Sequence, residues 1–267
     1  MKASLIFLLF TVAVFSQTYN DQSAFKIDEP NYLITGFGSS LNPKKGILSQ
    51  KDNQLKFKLS FNYKLFGYGY GLSGFYIKYA QNTLVNLWGQ NPASYNSDMK
   101  PEFFTYLDLR TEYDNTPYVP RFRVGLTHET NGLTDDNSRS WNKFTGALEI
   151  GENCVSDVFF SLSFWRGFGV NANNRDIRDY AGNGAIKLAY YHHIDGEFAW
   201  GTSIDARFKV PDATFKNIEA SLYLNPFFGA GSSWAPKVML QYYWGGAESL
   251  RNYTSKTHSM RLGLAFM

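Results

Sequence analysis

The chain has 267 residues, a net charge of +3, a single cysteine and an 18% share of Phe, Trp and Tyr. The lone Cys154 excludes an intramolecular disulfide, and so small a charge, scattered without a recognition motif, gives no case for nucleic acid as a partner. Past the amino terminus no stretch offers 18 continuous apolar residues, so no spanning helix is expected.

Lys2 and the apolar run Ala3 to Phe15, followed by the small Ser16, read as a signal peptide over residues 1–16. Residues 17–30 read as a periplasmic segment and 31–267 as the folded unit. An exported chain rich in Tyr, Phe and Gly, with a mean hydropathy of −0.31, points to an all-β fold. Strands of a membrane barrel are apolar on one face only, which keeps mean hydropathy low. The reading is a twelve-stranded antiparallel transmembrane β-barrel.

The predicted strands lie near 31–38, 54–65, 71–85, 102–113, 119–129, 140–150, 156–166, 180–191, 197–208, 214–224, 236–245 and 256–266. In the second, Leu55, Phe57, Leu59, Phe61, Tyr63 and Leu65 alternate with Lys56, Lys58, Ser60, Asn62 and Lys64. Lysines at this spacing suit a wet lumen, with the apolar set toward lipid; a solvated face of a soluble sheet is the bland alternative. Connections near 39–53, 86–101, 130–139 and 167–179 are mostly longer and more polar than the alternate turns near 66–70, 114–118, 151–155 and 192–196. With both termini periplasmic, the longer set is extracellular. The short 209–213 and the long 225–235 break that rule.

The fifth strand carries the candidate chemistry. Phe122, Val124 and Leu126 share one face, opposite Arg121, Arg123 and Thr127. His128 and Thr130 continue the apolar, outward face. In the sixth strand Asn142 shares parity with Phe144, Leu148 and Ile150. A base, a hydroxyl and a polar orienting group on one face are the parts of a hydrolase triad. Polar groups toward lipid are costly and tend to be functional. His128 is the candidate general base, Thr130 the nucleophile and Asn142 the group that fixes the imidazole tautomer. Residues two apart on a strand are about 6.5–7 Å apart, so the strand end must bend. Gly132 permits the bend, and its N–H is a candidate for an oxyanion hole. Alone, a His-x-Thr pair is an ordinary loop-entry pattern.

Two blocks then carry a family resemblance: His128-Glu129-Thr130-Asn131-Gly132 and Ser138-Arg139-Ser140-Trp141-Asn142. With Asn31-Tyr32-Leu33-Ile34, Asn174-Arg175-Asp176-Ile177 with Tyr180, and Glu248-Ser249-Leu250 with Tyr253, the chain resembles the outer-membrane phospholipase A family over residues 28–266. The resemblance implies a barrel in the outer membrane of Gram-negative bacteria that hydrolyses acyl esters of phospholipids and lysophospholipids, depends on calcium and acts as a homodimer. It implies calcium ligands at the Ser138 hydroxyl, the Leu133 carbonyl and Asn173. The family carries arginine where Leu133 stands, an acid where Asn173 stands and serine where Thr130 stands. Its partner-subunit ligand falls in the stretch Gln90 to Asp98, which departs from the pattern. Gln81 matches a glutamine the family places between protomers; a lumen-facing Gln81 is the equal alternative.

Other candidates carry less. His192 and His193 are adjacent, so they point to opposite faces and make a poor metal site. Asp135 and Asp136 read as solvated loop acids, and His258 has no evident partner. Trp141 suits either substrate contact or an interfacial aromatic belt. Beside the hydrolase stands a second reading, a barrel that kept the fold and lost the chemistry, and a third, a passive pore.

Overall fold

The computed structural model describes residues 25–42, 47–66, 72–86, 95–108, 118–229 and 235–267. The expected signal peptide and residues 17–24 lie outside that set. A short strand β1 (Phe25–Lys26) precedes β2 (Asn31–Asn42), β3 (Ile47–Phe66), β4 (Leu72–Asn86), β5 (Tyr95–Asp108), β6 (Arg121–Thr130) and β7 (Ser140–Ile150). Then come β8 (Val158–Phe168), a short helix α1 (Ile177–Ala181), β9 (Gly184–Ile194), β10 (Glu197–Lys209), β11 (Thr214–Leu224), β12 (Lys237–Gly245) and β13 (Lys256–Phe266). From β2 onward each strand pairs antiparallel with the next, and β13 pairs back onto β2. The result is a closed twelve-stranded barrel. Among the described residues no helix is long and apolar enough to cross a membrane.

The pleat sorts the side chains as the alternation requires. Phe122, Leu126, Phe144, Phe164, Leu188, Ile204, Leu222, Leu240 and Leu262 are exposed on the outer wall, while Arg121, Thr127 and Glu149 are buried inside. An exposed apolar band on a closed sheet is the surface a barrel presents to hydrocarbon.

Three boundaries differ from the sequence expectation. β5 starts at Tyr95, seven residues ahead of the predicted 102, so the last four residues of the stretch Gln90 to Asp98 that reads as a loop are strand. Its inner face there is polar (Asn96, Asp98, Lys100), which hides an alternation when the lumen is itself polar. The β2–β3 hairpin continues through Leu41↔Leu48 and Asn42↔Ile47, shrinking the expected 39–53 connection, because backbone pairing needs no apolar face. α1 takes residues 180 and 181, which the sequence assigns to β9.

Lys56 and Lys58 of β3 are not solvated in an open channel. Lys56 Nζ donates to Glu219 Oε2 at 3.0 Å and Gln241 Oε1 at 2.8 Å. Lys58 pairs with Glu29, and Lys78 with both Asp28 and Glu29. Those two acids come from the segment after β1, which pairs with β3 at Asn62 and Tyr63 and then turns into the lumen. Arg123 pairs with Glu102 at 2.9 Å. Buried charges survive only when paired, and here they are paired with one another. A cavity of about 750 Å³ remains, lined by Asp28, Lys78, Lys100, Arg123 and Lys187 among others.

Apolar clusters close both ends. Tyr32, Ile34, Phe159, Tyr191, Tyr223 and Met239 pack together at the inner end. Trp141, Ile177, Ala181, Leu250 and Tyr253 pack under the outer loops. Trp141 therefore serves neither of its expected roles: it is 1% exposed, inside the barrel, because its parity is opposite to that of Asn142. In the inner turn after β7, burial pushes the Cys154 thiol up to about 12, which leaves it an inert structural thiol. His193 bonds Asp157 at 2.7 Å and His192 bonds Tyr190 at 3.3 Å, so the two histidines do not converge.

Candidate active site

β6 and β7 run side by side with His128 directly opposite Asn142 and Thr130 opposite Ser140. His128 Nδ1 and Asn142 Oδ1 are 2.8 Å apart. An amide oxygen only accepts, so Nδ1 carries the proton and Nε2 is left as the basic nitrogen. His128 is exposed on the outer wall, two residues from the strand end.

Thr130 shares that face. Its Oγ1 accepts from Gly132 N–H at 3.2 Å, and among the hydrogen bonds of the described residues none joins it to His128. Gly132 has φ +64, and a Cβ there would lie 2.6 Å from Met99 Cε. The left-handed glycine therefore turns the chain just past Thr130 and places an N–H on its hydroxyl. Met99 is the direct β5 partner of Thr130, and Gln81 the β4 partner of Met99. Gln81 has the parity of the exposed Ile77, opposite the lumenal Lys78 and Ala80, so it is on the outer wall. It accepts from Tyr79 Oη at 2.9 Å and donates to Ser97 Oγ at 2.8 Å.

Glu129 faces the other way, a role the sequence reading left unassigned. It is buried and receives Lys100 Nζ at 2.8 Å, Lys143 Nζ at 2.8 Å and Trp141 Nε1 at 2.9 Å. This inward anchor sits between the outward His128 and Thr130. Its signal in the sequence was parity: a carboxylate on a lumenal position with lysines at lumenal positions of the neighbouring strands.

The 131–139 loop is stapled by Asn131, whose Oδ1 accepts from Leu133 N–H at 3.3 Å and Arg139 N–H at 3.0 Å. Its Nδ2 donates to Asn137 O at 2.8 Å. The loop after β8 docks onto it. Asn171 Nδ2 donates to Ser138 Oγ at 3.3 Å, and Asn173 Nδ2 to Asp135 O at 2.9 Å. Ser138 and Asn173 thus take part in the same loop–loop contact, through Asn171 and Asp135 respectively, and Leu133 belongs to the same stapled loop as Ser138. Hydroxyl, carbonyl and amide oxygens are the donors a hard cation takes. All three are neutral, and Asp135 and Asp136 beside them are exposed. No group of three or more His, Cys, Asp or Glu side chains that could hold a metal occurs among the described residues.

Gly169 starts the second loop at φ +54, and a Cβ there would sit 2.7 Å from Asn142 Nδ2. Gly169→Ala is expected to cost about 1–2 kcal/mol from the left-handed backbone alone. It should also displace Asn142. Chemical denaturation and the hydrolytic rate measured side by side check this; an unchanged rate would show that Asn142 tolerates the shift.

A family model described as Phospholipase A1 matches residues 13–266. Phospholipase A1 of Proteus vulgaris is 28% identical over 190 residues, 65% of this chain and 63% of that protein. The chain spans 61% of the length of a Neisseria meningitidis relative, so it covers about three fifths of these proteins. Among solved structures, outer membrane phospholipase A from Escherichia coli superposes with a TM-score of 0.73 at 21% identity, covering 96% of this chain and 97% of that one. The Salmonella typhi outer membrane phospholipase dimer with bound calcium gives 0.72 at 20%, covering 96% of each chain. The two structural likenesses concern the barrel, and the family match, which runs through both the His128 and Asn142 strands, adds the lineage: the chain belongs to the phospholipase A1 family.

Proposed function

We propose that the chain is an outer-membrane phospholipase of Gram-negative bacteria that hydrolyses acyl esters of phospholipids and lysophospholipids on the lipid-facing rim. The observation that carries this is the 2.8 Å bond between His128 and Asn142 on the outer wall, beside Thr130. A pore would keep its working groups in the lumen, whereas an enzyme acting on membrane lipid needs them outside.

In this reading Thr130 Oγ1 attacks the ester carbonyl carbon while His128 Nε2 takes the hydroxyl proton. The tetrahedral species collapses, the ester C–O bond breaks, and His128 returns the proton to the leaving alcohol. Water, activated by the same imidazole, then releases the fatty acid and restores Thr130. Asn142 holds the imidazole in the tautomer that leaves Nε2 free. Gly132 N–H, already on Thr130 Oγ1, would donate to the oxyanion that forms two bonds out from that oxygen. Calcium would be held by Ser138, the Leu133 carbonyl and Asn173. When bound, it supplies positive charge for the developing oxyanion. A homodimer is supported by Gln81 on the lipid-facing wall, where a second copy can offer its own amide.

The test is fatty-acid release from phospholipid in detergent with added calcium. Thr130→Ser should keep or raise the rate, because the threonine methyl stiffens the side chain and crowds the attacking oxygen. Chelation should stop the reaction, and the neutral ligand set should demand calcium on the order of 10⁻⁴–10⁻³ M. A folded barrel that releases nothing as either threonine or serine ends the proposal. One observation favours a second reading, a barrel without the chemistry: Thr130 Oγ1 is bonded to Gly132 and not to His128. Silence of the parent with activity in Thr130→Ser would select it.

A further inference from the structure

Four buried side-chain oxygens lie on the inner wall of β3–β5 without a hydrogen-bond donor. They are Gln54 Oε1, Asn82 Oδ1, Asn96 Oδ1 and Asp98 Oδ1. Asn82 and Asp98 face each other in register, and Asn96 is opposite Leu84, one pleat nearer the outer end. All share the parity of Lys78, Ala80 and Lys100, which line the lumenal cavity. Directly opposed side chains on one face have Cβ atoms about 4.5–5.5 Å apart. Asp98 is 3% exposed. Leu250 N–H, from the last outer loop, donates to its Oδ2 at 2.9 Å, which fixes the carboxylate and leaves Oδ1 unpartnered.

The chemistry of this group is one-sided. Every unmet atom is an acceptor, and one belongs to a carboxylate. The nearest ammonium groups are committed elsewhere, Lys100 to Glu129 and Lys58 to Glu29. A buried acceptor without a donor is costly, and a charged one more so. What meets several such oxygens at once is a cation. Oxygen-only ligands with a carboxylate select a hard ion.

We propose that Asn82, Asn96 and Asp98, with Gln54 at the margin, form a calcium site on the lumenal wall beneath the last outer loop. It is separate from the rim, where Ser138 and Asn173 lie on the loops after β6 and β8. Bound there, the ion ties the 246–255 loop to the barrel wall through Asp98. A single carboxylate places the affinity on the order of 10⁻⁴–10⁻³ M.

The experiment is equilibrium dialysis of the refolded, metal-stripped full chain in detergent against radiolabelled calcium, with heat-modifiable gel mobility reporting the fold. Asp98→Asn should bind one ion fewer per chain than the parent, while Ser138→Ala keeps the lumenal ion. Should Asp98→Asn fail to fold, Asn96→Ala decides, with an expected loss of affinity of roughly tenfold or more. An unchanged number of ions in Asp98→Asn overturns the site, as does unchanged affinity in Asn96→Ala. Equal displacement by potassium overturns the choice of a divalent ion. A parent barrel that binds no calcium beyond what Ser138→Ala removes means that ordered water fills the group, and ends the proposal.

Discussion

His128→Ala lowers ester hydrolysis by roughly 10²- to 10⁴-fold, the contribution expected of a positioned general base. The imidazole is held by Asn142 at 2.8 Å and is exposed on the outer wall. Its removal takes the only proton acceptor assigned to the rim and leaves the packing untouched. Stability should move by less than about 0.5 kcal/mol, as for exposed positions away from special features. Titration of released fatty acid from mixed micelles, with gel mobility to confirm the barrel, gives both numbers. A rate within threefold or so of the parent would remove His128 from the mechanism. Asn142→Asp should lose far less, because a carboxylate offers the same acceptor to Nδ1.

The largest structural effect is expected one residue away. Glu129→Ala should destabilise the barrel by about 3–5 kcal/mol, the range for removing one partner of a buried charge group. Lys100, Lys143 and the Trp141 indole all end on this carboxylate. Its loss leaves two ammonium groups facing each other in a closed lumen. Denaturant midpoints in lipid vesicles measure the cost, and Glu129→Gln separates charge from hydrogen bonding because it keeps an acceptor for the indole. A shift below about 1 kcal/mol in Glu129→Ala would mean that the lysines find water instead. Activity should fall with it, since Glu129 pins the strand end that carries His128 and Thr130.

The outer wall was legible in the sequence wherever period two held. Phe122, Leu126 and Phe144 on one parity, and Arg121 and Thr127 on the other, were enough to put His128, Thr130 and Asn142 on one face. The lumen was not. Its residues are polar, and which lysine meets which acid depends on strands far apart in sequence, as with Lys56 and Glu219. The start of β5 was hidden for the same reason. The docking of the 169–176 loop onto the 131–139 loop through asparagines also left no local trace, because an asparagine in a loop looks alike whether it bonds its own turn or another. Trp141, next to Asn142 and so of opposite parity, faces inward with Glu129.

The seam between β2 and β13 joins opposite ends of the chain, with Asn31 paired to Phe266. Every other barrel pairing is between neighbours in sequence and can zip from a turn. The last one brings together segments separated by almost the entire polypeptide, and ends that far apart meet slowly. Until they do, two rows of backbone N–H and C=O groups stand open, each unmet group costing several kcal/mol in hydrocarbon. The ring is therefore all or nothing: a chain that loses its final strand is not a narrower barrel but an open sheet with no stable place in a bilayer.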